Sequence, residues 1–131
     1  MASTPNFTAT PRVGFGSVST ANTNRDGTGT IVDIITGAST GTKINEVVIK
    51  STGDPADSIL TLFLYDGSTS RLFDEIDLGN PAAGSTTVTA YRTSVQYDNL
   101  ILPSASWKLQ AAITVAPTTG ALNVFATGGD F

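Results

Sequence analysis

From Thr30 onward the sequence is a succession of short runs rich in Val, Ile, Leu and Thr, each bounded by residues that favour turns. Runs at this spacing predict the strands of a β-sandwich or barrel. No run has the period of an amphipathic helix, so the predicted fold class is all-β. We predict eight strands, near residues 30–36, 43–51, 58–66, 71–78, 86–93, 95–102, 106–116 and 121–127. The separators are Gly37 with Gly41, Gly53-Asp54-Pro55, Asp66-Gly67, Gly79-Asn80-Pro81, Pro103, and Pro117 with Gly120.

These strands are predicted to form one domain, residues 30–131. A chain of 131 residues buries enough surface for one core. Eight antiparallel strands suit a jelly roll, a β-sandwich in which two Greek keys form two facing sheets. The predicted architecture is therefore an antiparallel jelly-roll sandwich.

Residues 1–29 predict an extended N-terminal arm and a loop that leads into the sandwich. Two prolines and two glycines interrupt the first 16 residues. On a free tail the apolar side chains of Phe7, Val13 and Phe15 would stay exposed to water, which is unfavourable. We therefore expect the arm to dock on another surface. Because the sandwich is predicted to begin after the arm, removing residues 1–15 is expected to leave the fold intact.

The most regular alternation lies in residues 106–116. One face is apolar and is predicted to lie in the core, while the opposite face is predicted to lie near water. The core face holds Trp107, Leu109, Ala111, Ile113 and Val115, and the other holds Lys108, Gln110, Ala112 and Thr114.

The strand near residues 58–66 is apolar on both faces. Its second apolar face carries Ile59, Phe63 and Tyr65 around a single threonine. A sandwich normally buries only one face of each sheet, so a second apolar face needs cover from the arm, another subunit or a partner. Loops of the same chain are the alternative cover.

The composition excludes many functions. The chain has no Cys and no His, which removes thiolate metal sites and the commonest general base. Seven basic residues are scattered in a chain of net charge -4, so we expect no nucleic-acid partner. The longest apolar runs are too short for a membrane span, and the N-terminus lacks the pattern of a signal peptide. We predict no cofactor and no small-molecule substrate.

The densest acidic group is the only one from which a catalytic site can be built. Glu75 and Asp77 lie on the same side of a strand, roughly 7 Å apart, within the range of paired glycosidase carboxylates. A solvated strand face explains the same residues, and a catalytic pair would need one carboxyl group with a raised pKa. We therefore predict that the chain is not an enzyme.

A stretch before the first predicted strand has the ligand spacing of a calcium loop. It runs from Asn22 through Asn24 and Asp26 to Gly27, and Asp33 occupies the closing position. A turn rich in Asn, Asp and Gly explains these residues equally well. We therefore predict no metal site, and the binding of calcium near Asn22 to Asp26 stays an open alternative.

Aromatic residues raise the alternative of a carbohydrate-binding module, of the kind found in phage tails or fibres. Such a module needs an exposed aromatic platform beside polar groups, and Tyr91 and Tyr97 near Arg92 are the candidates. Trp107 lies on the apolar face of its strand, which favours core packing over sugar stacking.

Several stretches taken together resemble the jelly-roll capsid decoration, or cement, proteins of tailed bacteriophages. They are TANTNRDGTGTIVDIITGASTGTKINEVVIKSTG, the hairpin SILTLFLYDGSTSRLFDEIDL, the strand LILPSASWKLQAAITV and the closing NVFATGGDF. The resemblance covers most of the chain after Val18, and it lies in the pattern of strands and turns. It implies a non-enzymatic virion protein, usually a homotrimer, that binds the outer surface of the capsid and bridges subunits of the major capsid protein.

The resemblance transfers no functional residues, so the contact residues are predicted from the pattern of the chain. Phe7, Arg12 and Phe15 are the predicted capsid contacts of the arm. Ile59, Phe63 and Tyr65 are the predicted subunit interface, on the condition that the monomer leaves them uncovered.

Overall fold

The fold of residues 8–131, the part of the chain that the computed structural model describes, consists of eight strands and two sheets. The strands are β1 (Thr10–Val18), β2 (Val32–Thr36), β3 (Thr42–Ser51), β4 (Ile59–Tyr65), β5 (Ser70–Asp77), β6 (Arg92–Leu102), β7 (Lys108–Ile113) and β8 (Leu122–Asp130). The first sheet has the order β1-β8-β3-β6 and the second has the order β2-β7-β4-β5. All neighbouring strands are antiparallel.

The order of the strands is that of a jelly roll. The chain passes from one sheet to the other between most consecutive strands, and only β4 and β5 form a hairpin within one sheet. The predicted all-β sandwich of eight strands is confirmed. Residues 8–131 contain no helix long and apolar enough to span a membrane.

The core lies between the two sheets. Alternate residues of β3 point into it and are fully buried, and the same holds for β4, β7 and β8. Burial of each such side chain contributes about 1.5–3 kcal/mol relative to exposure, which makes this layer the main source of stability. Its members with no exposed surface include Ile44, Val47, Ile49, Leu60, Leu62, Leu102, Leu109, Ile113, Leu122 and Val124.

The prediction of an extended arm is wrong for residues 10–18, which form the edge strand β1. This strand pairs with β8 over its whole length, from Thr10 opposite Asp130 to Val18 opposite Leu122. Gly14 and Gly16, which were interpreted as interruptions, lie where β1 approaches β2 of the other sheet. A Cβ atom on Gly14 would stand 2.5 Å from the Cβ of Ile35, so only glycine permits this contact.

The predicted strand at residues 86–93 is also wrong. Residues 85–88 form a turn, in which the Ser85 hydroxyl accepts hydrogen bonds from the amides of Thr87 and Val88. The following strand, β6, runs without a break from Arg92 to Leu102. Alternating Thr and Val in this stretch mimic a strand, but the local serine turn satisfies the backbone instead. Eight strands are found because the missed β1 offsets the false one.

The face of residues 106–116 that is predicted to lie near water is buried at its centre and half-buried at its ends. Ala112 is fully buried and Gln110 is nearly so. The reason is that β7 is a central strand, between β2 and β4, and its outer face is covered by other parts of the chain. Gln110 is satisfied there, because its Nε2 donates to Asp33 and its Oε1 accepts from Ser70.

Deletions at the N-terminus test the place of β1 in the fold. Removing residues 1–15 deletes six of the nine residues of β1 and uncovers β8, so we expect a large loss of stability or no folding. Removing residues 1–7 ends before β1 and is expected to leave the midpoint of thermal unfolding almost unchanged. Circular dichroism during heating measures both. Equal stability of the two truncated proteins would contradict the assignment of β1.

Candidate interaction surface

The outer face of the first sheet carries a patch of four apolar side chains, of which two are exposed and two are half-buried. Phe15 of β1, Phe125 of β8 and Val48 of β3 stand side by side in one row across three strands, and Val13 is next to Phe15 on β1. Phe15 is 69% exposed and Val13 is 60% exposed. We call these four residues the apolar patch. It combines Phe15, predicted from the sequence, and Val13 of the same strand with two neighbours that strand register brings to them.

The geometry of β1 explains why the patch faces water. The inner side of β1 is occupied by Gly14 and Gly16 against β2, so the large side chains of this strand point outward. The rings of Phe15 and Phe125 pack against each other with their centroids 6.0 Å apart. Exposed aromatic residues on a rigid sheet are typical of surfaces that bind other proteins.

Polar groups border the patch on both sides. In the row of Ser17, the serine hydroxyl donates to Asn123 at 2.7 Å. In the row of Val13, Gln96 donates to Glu46 at 3.4 Å. An apolar centre with a polar rim is the usual anatomy of a protein interface.

The side chain of Arg12, a predicted capsid contact, forms its hydrogen bonds within the chain. Its Nη1 donates to both carboxylate oxygens of Asp130, at 3.0 and 3.1 Å, and its Nη2 donates to the carbonyl of Thr36 at 2.9 Å. Asp130 also accepts from the hydroxyl of the buried Thr42 at 2.7 Å. These bonds join β1 and β8 to β3 in the same sheet and to β2 in the other. Arg12 therefore stabilises the edge of the sandwich.

Of the three predicted arm contacts, Phe15 is exposed and Arg12 is bound within the chain, while Phe7 lies outside the described residues. Phe125 and Val48 were not predicted as contacts. The alternation of residues 121–127 contains the signal for Phe125, because Leu122, Val124 and Ala126 occupy the core face and leave Phe125 on the other. Its neighbour across the sheet depends on register, which the pattern of one strand does not reveal.

The predicted subunit interface lies on the outer face of the second sheet, and its central residue is covered. Phe63 has no exposed surface, while Ile59 and Tyr65 are half-buried. The condition for an interface role, exposure in the monomer, is therefore not met by Phe63. For Ile59 and Tyr65 the interface role stays a prediction.

The loop of residues 19–31 provides this cover. Near its start, the Asn22 amide donates to a carbonyl of β7 at 2.7 Å. Farther along, the side chain of Arg25 binds Glu75 of β5, with Nε 2.6 Å from a carboxylate oxygen. Because β4 lies between β7 and β5, the loop crosses β4 on the face that holds Phe63. The alternative of cover by the chain itself is the one realised at Phe63.

The candidate calcium residues form hydrogen bonds within this loop and with the sheet beneath it. The buried Asn22 donates through Nδ2 to two loop carbonyls, and its Oδ1 accepts from the Asn24 amide. Asp26 accepts from the amide and hydroxyl of Thr28, which lower its pKa. Asp33 instead binds Gln110 and Lys108 on the sheet. The loop is organised by its own hydrogen bonds, and Asp33 is not turned toward it.

Glu75 of the acidic pair lacks the electrostatics of a glycosidase general acid. Glu75 and Asp77 share the outer face of β5, opposite Thr61 and Ile59 of β4. The hydrogen bond and the charge of Arg25 lower the pKa of Glu75, whereas a general acid needs a raised one. This surface therefore has the character of a structural ion pair.

The predicted sugar platform is not exposed. Tyr97 is half-buried, its ring packs on Phe73 with centroids 5.5 Å apart, and its hydroxyl donates to Asp74 at 2.8 Å. Burial and the neighbouring Asp74 raise the pKa of Tyr97. Tyr91 also packs against the core. The ring and hydroxyl of Tyr97, on β6, contact β5 of the other sheet.

A cavity of about 230 Å³ lies beside the β4–β5 turn, at the end of the sandwich. Its walls are mainly apolar and its rim carries the ion pair of Arg71 and Asp66, 2.9 Å apart. Sequence reasoning placed Trp107 in the core and did not find the cavity, because the turn and the end of the β6–β7 connection meet only in three dimensions. The lining residues are Leu64, Asp66, Arg71, Leu72, Phe73 and Trp107.

Comparison with known proteins finds similarity in structure only. The chain matches no protein-family model, and no curated protein matches its sequence. It is similar to a chain in the acidic stable capsid structure of Helicobacter pylori bacteriophage KHP30, with a TM-score of 0.55 and 12% identity, covering 92% of this chain and 86% of that one. A chain of the capsid asymmetric unit of cyanophage Pam1 has a TM-score of 0.46 and 19% identity, covering 98% and 90% of the two chains. At 12% identity, the likeness to the KHP30 chain establishes the fold.

The ion pair of Asp130 with Arg12 predicts how the stability of the fold depends on pH. Its hydrogen bond to Thr42 and its contact with Arg12 lower the pKa of Asp130 below the ordinary value of 3.8. A carboxylate with a lowered folded pKa stabilises the protein above the unfolded value, and this contribution is lost as the pH falls through the folded value. Asp130→Asn should therefore be less stable than the wild type at neutral pH, and the difference should shrink below about pH 4.

Urea unfolding at a series of pH values measures this difference. Asp98→Asn, at an exposed position of β6, is the matched control and should follow the wild-type curve. A difference between Asp130→Asn and the wild type that stays constant down to the acid limit would contradict the role of the carboxylate.

Proposed function

We propose that this protein is a non-enzymatic structural protein of a phage virion, a capsid decoration or cement protein. In this role it binds the outside of the head, as a homotrimer, and bridges subunits of the major capsid protein. The observation that carries the proposal is the apolar patch, an exposed aromatic surface held on a rigid sheet. The jelly-roll fold, which the chain shares with a chain of the KHP30 capsid structure, supports it.

The patch suits binding to a large and preformed partner. Its residues are fixed by strand pairing, so little conformational entropy is lost when a partner covers them. Apolar burial contributes about 25 cal/mol per Å², and a row of two aromatic rings and a valine offers a compact area of this kind. Three copies joined in a trimer would bind a shell with repeated sites far more strongly than one copy, through effective concentration.

The competing functions have less support. A glycosidase requires a carboxyl group with a raised pKa as its general acid. The pKa of Glu75 is lowered. A sugar-binding module requires an exposed aromatic platform, and both candidate tyrosines pack against the core. Neither alternative is adopted.

Binding to capsids tests the proposal. The purified protein should add to expanded, undecorated heads of its own phage and not to unrelated heads. The double variant Val13→Ser with Phe15→Ser should bind at least tenfold more weakly, because burial of one such side chain contributes about 1.5–3 kcal/mol. Co-sedimentation of the protein with heads measures the bound fraction.

Val88→Ser is the matched control, because Val88 is a comparably exposed valine, 52% exposed, in the turn of residues 85–88 away from the patch. It should bind like the wild type. Absence of wild-type binding to its own heads would overturn the proposed function. Equal binding by the double variant and the control would remove the patch from it.

A further inference from the structure

Strand β6 leaves one edge of the sandwich without a paired strand. It lies at the end of the first sheet, and β3 is its only strand partner in the part of the chain that the structure describes. Because the amide of Ser51 donates to the carbonyl of Tyr91, every second residue from Tyr91 onward bonds to β3. The N–H and C=O groups of Arg92, Ser94 and Gln96 therefore point away from the sheet. Such a row of free backbone groups is a template for another strand.

The other three edge strands are packed together or protected. Strands β1 and β2 lie against each other, since a Cβ atom on Gly14 would clash with the backbone of β2. On β5, the amide of Glu75 donates to the neighbouring carboxylate of Asp74 at 2.8 Å, which removes a donor from that edge. Strand β6 has neither Lys nor Pro between Arg92 and Asp98, the residues that commonly protect an edge. It is therefore the edge that is available to a partner strand.

The side chains of β6 are complementary to a second copy of the same strand. Its outward residues Arg92, Ser94, Gln96 and Asp98 are exposed and alternate with half-buried residues that face the core. Two copies of β6, antiparallel about a two-fold axis at Val95, place Arg92 opposite Asp98 of the second copy. The same register places Ser94 opposite Gln96. Because the axis repeats each pair, the contact contains two pairs of opposite charge, which stabilise neighbouring strands.

The backbone and the charges select the same register. The free backbone groups belong to alternate residues, so Arg92, Ser94 and Gln96 must face residues of the same alternation for two copies to bond. A slip of two residues in either direction places Asp98 opposite Ser94 or Ala90 and removes both pairs of opposite charge. The register centred on Val95 is therefore the favoured one.

The other charged groups near β6 leave this pairing intact. On β3, Lys50 stands opposite Arg92 and has the same sign, and the residue in the bulge that faces Asp98 is the uncharged Asn45. From the second sheet, Asp74 reaches β6 on its inner side, where it accepts a hydrogen bond from a tyrosine hydroxyl. The charged residues of β3 that stand opposite uncharged residues of β6 are Lys43 and Glu46.

We infer that β6 pairs with β6 of a second copy of this chain, so that two four-stranded sheets join into one continuous sheet. The inference goes beyond the proposed function, because the contact needs neither a shell nor the apolar patch, which lies on β1, β8 and β3. Its two-fold symmetry makes it distinct from the contact within the proposed homotrimer, so it would connect copies of two trimers. Outward residues of both copies share one face of the joined sheet, and the two apolar patches therefore face the same way.

A disulfide across the two-fold axis tests the pairing. In this register Val95 faces its own copy in a pair without mutual hydrogen bonds, where the Cα atoms are about 4.5 Å apart, a distance that a disulfide spans. The sequence has no cysteine, so Val95→Cys in the full chain should form a disulfide-linked dimer under mild oxidation. Electrophoresis without reductant measures the rate. Val88→Cys, at an exposed position of the turn of residues 85–88, is the control and should cross-link at least tenfold more slowly.

Charge reversal in the Val95→Cys protein tests the register. Arg92→Glu places a negative charge opposite Asp98, and Asp98→Lys places a positive charge opposite Arg92, so each change should slow the cross-linking at least tenfold. The two changes in one chain restore pairs of opposite charge, and an equimolar mixture of the two single-reversal proteins restores them between chains. Both should regain the rate of Val95→Cys alone.

Three results would each overturn the inference: cross-linking of Val95→Cys no faster than the control, charge reversal without effect, or no recovery when both charges are reversed. If Val95→Cys does not fold by circular dichroism, sedimentation of the wild type, Arg92→Glu and the double reversal over a concentration series gives the same comparison. No heads are present in these experiments, so failure of the pairing and failure of shell binding are separate results.

Discussion

The close approach of β1 to β2 is the constraint on which the rest of the surface depends. Two strands in facing sheets normally stand about 10 Å apart because side chains fill the space between them. Gly14 and Gly16 remove those side chains, so the backbone of β1 rests directly on β2. The large residues of β1 then have only the outer face available, which explains why Val13 and Phe15 are exposed. The ion pair of Arg12 with Asp130 holds this edge closed, since it connects β1 to β8 and, through Thr36, to the other sheet.

The two outer faces of the sandwich differ in how much of their apolar surface the chain itself covers. The loop of residues 19–31 crosses the second sheet, where Phe63 is fully enclosed and Glu75 binds Arg25. Gly27, with a φ of 88°, lies directly against the backbone of Ser70, an approach that a side chain would prevent. The apolar patch of the first sheet has Phe15 and Val13 largely exposed. Thirteen residues of the chain cover the apolar outer face of the second sheet. The apolar patch of the first sheet is therefore the outer surface that remains open to a partner.

The sequence predicted the fold class well because strand periodicity and turn residues are local signals. Seven of the eight predicted strands correspond to the strands β2 to β8 of the structure. The failures share a cause, which is that the deciding partner is distant in sequence. Glycines in β1 resemble strand breakers until β2 is placed against them, and the arm residue Arg12 resembles an exposed cation until Asp130, 118 residues away, is placed beside it. The apolar second face of β4 was recognised, but its cover by residues 19–31 requires knowledge of the loop path. The cavity at Trp107 is a product of turn packing, for which the sequence pattern carries no signal.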